Sequence, residues 1–214
     1  MKLFSSWSGG KDCMLALYRM LNNNRHEVLY LVNMCDQETH QSRSHGLISE
    51  LIKKQAESIG VSILQKGTDF KDYENNLKQV ISRLKIQGVE GGIFGDIYLQ
   101  EHRDWIERVC SEMQVKSFFP LWKENTGELL EEFIDLGFRA TIVSVRKDKM
   151  SKDWLGRKLD KDFMRDIIGT NIDPCAENGE YHTFVHDGPI FGQSVDIQPD
   201  GSRSDESHWF LKIN

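Results

Sequence analysis

No apolar run in this 214-residue chain approaches the roughly 18 residues a membrane-spanning helix needs, which argues against a helical membrane protein. Basic residues are outnumbered: 27 lysines and arginines face 33 aspartates and glutamates, for a formal net charge of −6. That balance argues against broad nucleic-acid binding, which wants a basic surface. Cysteine is scarce. Cys13, Cys35, Cys110 and Cys175 form no CxxC pair and join no Cys/His cluster of zinc spacing, so a disulfide framework and a structural metal are not expected. The start, MKLFSSWSGG, has an apolar run too short for a secretory signal. These absences read as a soluble chain in a reducing cytoplasm. Proline is also rare, and Pro174, Pro189 and Pro199 fall in the tail among Gly169, Gly179, Gly188, Gly192 and Gly201.

What is present is enough for a core: 39% of residues are hydrophobic. Short apolar runs alternate with helical periodicity. Strands are expected at Lys2–Trp7, Val28–Met34, Val61–Leu64, Gly91–Gly95, Ser117–Leu121 and Phe138–Val145, with amphipathic helices between them. Strict alternation implies right-handed crossovers and a parallel, doubly wound α/β sheet. Residues 1–145 form this expected domain. Residues 146–214, polar at first and then rich in glycine, are expected to form a smaller α+β lobe over the crevice. Ligands of such sheets bind beyond the carboxyl ends of the strands, which brings the residues after Trp7, Met34 and Gly95 together.

Ser8-Gly9-Gly10-Lys11-Asp12 lies between the first strand and the first helix. Two glycines let main-chain N–H groups approach an anion, and the helix offers unpaired donors and a positive dipole end. Ser8 can donate a hydroxyl and Lys11 can add a cation. Asp12 suits phosphate only if it meets Mg²⁺ or caps the helix. A plain strand–turn–helix connection is the bland alternative. The sequence contains neither GxxxxGK(S/T) nor GxGxxG.

The segment 173–189 concentrates Glu177, Asn178, Glu180, His182, Thr183, His186 and Asp187. If it is extended, Glu180 and His182 share a face, where a carboxylate beside an imidazole suits general-base work or ammonium binding. A solvated hairpin is the alternative. Asp96, at the end of a strand, is a candidate for Mg²⁺ or substrate. Arg103 could hold a carboxylate or phosphate, or simply pair with Glu107 four residues on. His45 is a further candidate.

SGGKDC resembles the glycine turn of the PP-loop ATP pyrophosphatases, with Cys13 where many members carry Ser or Thr. The segment from Ala176 to Thr183 resembles the GExGE(F/Y)HT motif of the diphthine–ammonia ligase family within that superfamily. Gly95-Asp96-Ile97 with Arg103 and Glu107 resembles its GDI…R…E segment, Pro120-Leu121-Trp122 its PLW, and His45-Gly46 its histidine before a helix. Ala176 departs from the family's first glycine. The resemblance runs from Ser8 to Phe191. It implies a PP-loop fold and a C–N ligase that cleaves ATP to AMP and pyrophosphate. The diphthine carboxylate on elongation factor 2 would be activated as an acyl-adenylate, and ammonium would supply the nitrogen. ATP would bind at Ser8, Gly9, Gly10, Lys11, Asp12 and Cys13, with Mg²⁺ at Asp12. Catalysis would fall to Glu177, Glu180, His182 and Asp96, and substrate binding to Arg103, Asn178, Thr183 and His45. A homodimer is compatible with this reading. A tRNA-modifying PP-loop enzyme and a non-catalytic ATP sensor on the same fold are the rival readings.

Overall fold

The computed structural model describes residues 1–23, 25–42 and 45–213. Five strands come first: β1 (Lys2–Ser6), β2 (Glu27–Asp36), β3 (Ser62–Thr68), β4 (Gly91–Ile93) and β5 (Lys116–Phe118). Helices α1 (Lys11–Leu21), α2 (Ser49–Ile59), α3 (Tyr73–Ile86) and α4 (Gln100–Glu112) separate them. The strands pair in parallel, in the order β3-β2-β1-β4-β5. Parallel neighbours require crossovers, and the helices supply them. Alternation along β1 sends Leu3 and Phe4 to opposite faces, and both are fully buried. Phe4 packs with Val32, Leu77, Ile81, Leu84 and Ile106. Leu3 packs with Met14, Leu17, Ile52 and Ile93 on the other side. The sheet is therefore covered on both faces, as a doubly wound sheet must be. Its order reverses between β1 and β4, and a crevice opens beyond their carboxyl ends.

The sixth run corrects the sequence reading. The strand expected at Phe138–Val145 is β6 (Arg139–Arg146), and it does not join the parallel sheet. It pairs antiparallel with β7 (Tyr181–Asp187) and with β9 (His208–Ile213), and β8 (Pro199–Ser204) pairs with β9. An apolar run carries no mark of which sheet it will enter; that depends on partners far along the chain. Helix α5 (Thr126–Asp135) leads into β6, capped by Asn125 Oδ1, which accepts from the N–H groups of Gly127 at 2.9 Å and Glu128 at 3.1 Å. Helix α6 (Lys161–Ile168) lies between β6 and β7. We therefore propose the division between the lobes ahead of α5 rather than at residue 146. The lobes share a core: Phe133, Phe138, Ile142, Phe163 and Phe184 belong to the same apolar cluster as Met14 and Ile52. Among the described residues, no helix is long and apolar enough to cross a membrane.

Candidate active site

Gly9, at φ 85°, and Gly10 turn the chain from β1 into α1. A Cβ on Gly10 would stand 2.6 Å from His45 Cε1 and 3.3 Å from the Thr183 carbonyl, so glycine is what lets β7 close on the turn. Two bonds seal that contact. The Lys11 N–H donates to Thr183 Oγ1 at 3.1 Å, and the Val185 N–H to the Gly9 carbonyl at 3.0 Å. Gln55 of α2 adds bonds from Nε2 to the carbonyls of Gly9, at 3.0 Å, and Val185, at 2.5 Å. Gly95 serves a second close approach, since a Cβ there would lie 2.9 Å from the backbone of Asp12 and Cys13.

In front of the turn lies a crevice of about 1430 Å³. Ser8, Asp12 and Cys13 reach it from the turn, Asn33, Met34 and Asp36 from β2, and Asp96 from the end of β4. Glu177 and His182 reach it from the second lobe. These belong to the set expected from sequence, apart from the β2 residues. His45 is buried just behind, its Nδ1 2.8 Å from the Thr183 carbonyl and its ring 4.7 Å from that of His182.

Other expected residues are used differently. Lys11 does not line the crevice. Its ammonium is buried, donates to the Cys175 carbonyl and to Asp12 Oδ2 (3.0 Å), and lies 5.2 Å over the Tyr181 ring. The cause is its place at the start of α1, which turns the side chain toward the second lobe. Thr183 is spent on the Lys11 N–H rather than on substrate. Arg103 pairs with Glu107 at 2.7 Å and stacks on the rings of Phe119 at 4.8 Å and Trp122 at 4.5 Å, away from the crevice wall. Asn178 binds the Tyr98 hydroxyl at 3.0 Å and Glu180 Oε1 at 3.3 Å. Glu180 is itself buried behind Asn178, its Oε2 without a hydrogen-bond partner among the described residues. It does not line the crevice with His182, because the chain turns at Gly179 before β7 begins.

Burial sets the protonation of the site. It pushes the Glu177 carboxyl up to about 7, against the N–H groups of Ile97 (2.8 Å) and Tyr98 (3.3 Å) that donate to Oε1; Asp12 and Asp96 push it further. It lowers His45 to about 4 and holds His182 well below the ordinary imidazole range, with His45 and Lys11 adding to the effect. Burial works against the Lys11 ammonium, yet Asp12, Tyr181 and Cys175 outweigh it and hold Lys11 above its ordinary value. Burial also raises the thiols of Cys13 and Cys175. Neither suits the thiolate chemistry of sulfur transfer.

Sequence reasoning missed a second set of lining residues. The β8–β9 hairpin supplies Arg203, Asp205, His208 and Phe210. The Arg203 guanidinium lies 4.2 Å over the Phe210 ring and donates from Nη2 to Gln41 Oε1 at 2.6 Å and the Gly46 carbonyl at 3.3 Å. Helix α4 supplies His102 and Trp105. The spacing of these residues carries no motif. Among the described lining residues, Asp12, Asp36, Glu38, Glu74, Asp96, Glu177 and Asp205 face Lys71 and Arg203 as the permanent cations. No group of three or more His, Cys, Asp or Glu among the described residues is arranged to hold a metal ion.

The doubly wound sheet, with a glycine turn at its switch point and an open crevice before it, defines an α/β protein of the class that binds its ligands beyond the carboxyl ends of the strands. The diphthamide synthase N-terminal domain model matches residues 1–117, and the diphthamide synthase C-terminal domain model matches residues 125–214. The chain belongs to the diphthamide synthase family. The chain is 27% identical over 219 residues to a diphthine–ammonia ligase of Schizosaccharomyces pombe, covering 91% of this chain but 36% of that protein. It is 26% identical over 226 residues to the one of Danio rerio, covering 92% and 86%. Among solved structures, a predicted subunit of tRNA methyltransferase from Methanocaldococcus jannaschii aligns with a TM-score of 0.42 at 14% identity, over 88% of this chain and all of that one. A U34-tRNA thiolase from Methanococcus maripaludis aligns with a TM-score of 0.42 at 16% identity, over 64% and 58%.

Proposed function

We propose that the protein is an ATP-dependent, AMP-forming carboxylate–ammonia ligase whose acceptor is diphthine on elongation factor 2. The observation that carries this reading is the contact between the two halves of the signature. The glycine turn and the β7 segment bond to each other, and Ser8, Asp12, Glu177 and His182 share one crevice. A nucleotide sensor has no use for the second half.

Of the first donors of α1, the Gly10 N–H turns to Ser8 Oγ at 3.3 Å and the Lys11 N–H to Thr183, which leaves those of Asp12 and Cys13 for an anion. With Lys11 committed elsewhere, Arg203 is the braced cation that meets the phosphates. The surplus of carboxylates on the wall fits a Mg²⁺ carried in by the triphosphate, with Asp12 to hold it; the ion would offset phosphate charge. The acceptor carboxylate attacks the α-phosphorus, and pyrophosphate leaves. Adenylation turns a poor leaving oxygen into AMP, so that a weak nitrogen nucleophile can displace it. Glu177 and His182 stand where that displacement occurs. The test is turnover of α-labelled ATP with diphthine-bearing elongation factor 2 and ammonium. AMP and pyrophosphate are expected; ADP as the main product refutes the reading.

A further inference from the structure

Adenylation leaves one group on the crevice wall without a task. His102, from the first turn of α4, hydrogen-bonds through Nδ1 to Asp96 Oδ1. Its ring stacks parallel on Trp105, with centroids 5.8 Å apart and an interplanar angle of 3°. Trp105 is fixed in turn by Glu74, which accepts from its Nε1 at 2.8 Å and is neutralised by Lys78 and Arg108. The imidazole is therefore held at one nitrogen and on one face, while its other nitrogen, Nε2, has no protein partner among the described residues. The charged groups facing it are Asp96, from the loop after β4, and Glu177, from the loop before β7. The Asp96 side chain is only 12% exposed. Its hydrogen bond, the leading influence, raises His102 above the ordinary imidazole value.

We propose that the Asp96–His102 pair and Glu177 form the ammonium subsite, with His102 Nε2 as the base that converts bound ammonium to ammonia. This rests on the ligase reading above. Ammonium carries no lone pair and cannot attack until it loses a proton. His102 Nε2 takes one proton. The freed nitrogen forms a bond to the acyl carbon of the adenylate, and the bond from that carbon to the AMP oxygen breaks, the electron pair leaving with AMP. The second proton shed by nitrogen passes to the Glu177 carboxylate, giving amide, AMP, an imidazolium and a neutral carboxyl. Two carboxylates beside an imidazole also attract the cation before reaction. His182 is the weaker candidate, since burial and its neighbours keep it from holding a proton at neutral pH. Asp96 orients the imidazole and stabilises its charged form.

The test uses His102→Gln and Asp96→Asn in the full chain, with diphthine-bearing elongation factor 2, ATP and Mg²⁺. Each variant is offered ammonium or hydroxylamine, which is largely free base at neutral pH and need not lose a proton before it attacks. Melting temperature and ATP affinity are measured in parallel. For His102→Gln, amide formation from ammonium should fall about 10²-fold, the usual worth of a placed base. Hydroxamate formation and ATP affinity should hold. Asp96→Asn, which takes away the partner that orients the imidazole, should show the same split between ammonium and hydroxylamine in smaller measure. Equal losses with both nucleophiles, or none with either, overturn the proposal. A wild-type enzyme that forms neither amide nor hydroxamate overturns the ligase reading itself, and is distinguished by the wild-type control.

Discussion

Replacing Lys11 by methionine separates two accounts of the glycine turn. If the lysine served the phosphates, the variant would fold normally and lose ATP. The structure gives the ammonium to the Cys175 carbonyl and to Asp12, with the lysine side chain 6% exposed and that of Asp12 31% exposed. Methionine keeps the aliphatic packing against Tyr181 but removes the charge. The Cys175 carbonyl loses a charged donor, worth about 1.5–3 kcal/mol. Breaking a buried pair from one side costs about 3–5 kcal/mol, and the partial exposure of Asp12 screens its share, so the lower end, about 3 kcal/mol, is expected. For a chain of this size that is a fall in melting temperature on the order of 10 °C. Scanning calorimetry gives the fall, and titration with ATP·Mg²⁺ below the transition should show affinity retained. An unchanged melting temperature with lost ATP binding would refute the structural assignment.

Arg203→Gln should weaken ATP binding about tenfold or more, because a charged hydrogen bond worth about 1.5–3 kcal/mol is removed from the phosphates; titration calorimetry reads it, and undiminished affinity removes Arg203 from the site. His45 is lowered to about 4 in the folded chain from an ordinary 6.5, so the unfolded state binds the proton first and stability is lost as pH falls from 6.5 toward 4. The loss due to His45 alone is about 3 kcal/mol. His45→Gln, which keeps a donor for the Thr183 carbonyl, should flatten that part of the melting-temperature profile, and a profile parallel to the wild type would contradict the assignment. Gly10→Val should abolish ATP binding, since its Cβ would collide with His45 and push β7 off the turn; a folded variant that titrates normally would show that the turn tolerates the displacement.

The parallel sheet was legible because strand and helix periods alternate clearly from Lys2 to Phe118, and each strand supplies alternating faces such as Leu3 and Phe4. That Ser8 and Asp12 share a crevice with Glu177 and His182 was legible only through motif resemblance, since Glu177 lies 165 positions after Asp12 in the chain. The direction of a side chain was not legible. Lys11 reads as a phosphate cation from its letter alone, but the start of α1 points it at a carbonyl in another lobe. The directions of Arg103 and Thr183 were equally hidden: Glu107 and the Lys11 N–H are their partners in the fold. Arg203 and His102 were passed over because a polar hairpin and a helix surface look solvated until the lobes are packed. The allocation of β6 to the second sheet depends on Tyr181–Asp187 and His208–Ile213, whose pairing leaves no trace in the run itself.

Activation of a carboxylate as an acyl-adenylate at the crevice before Ser8 and Asp12 can be followed with elongation factor 2 whose diphthine carboxylate carries ¹⁸O. Incubation with the protein, ATP, Mg²⁺ and ammonium should transfer one labelled oxygen to the phosphate of AMP for each amide formed. Label found in inorganic phosphate or pyrophosphate, or amide formed with AMP free of label, would contradict it.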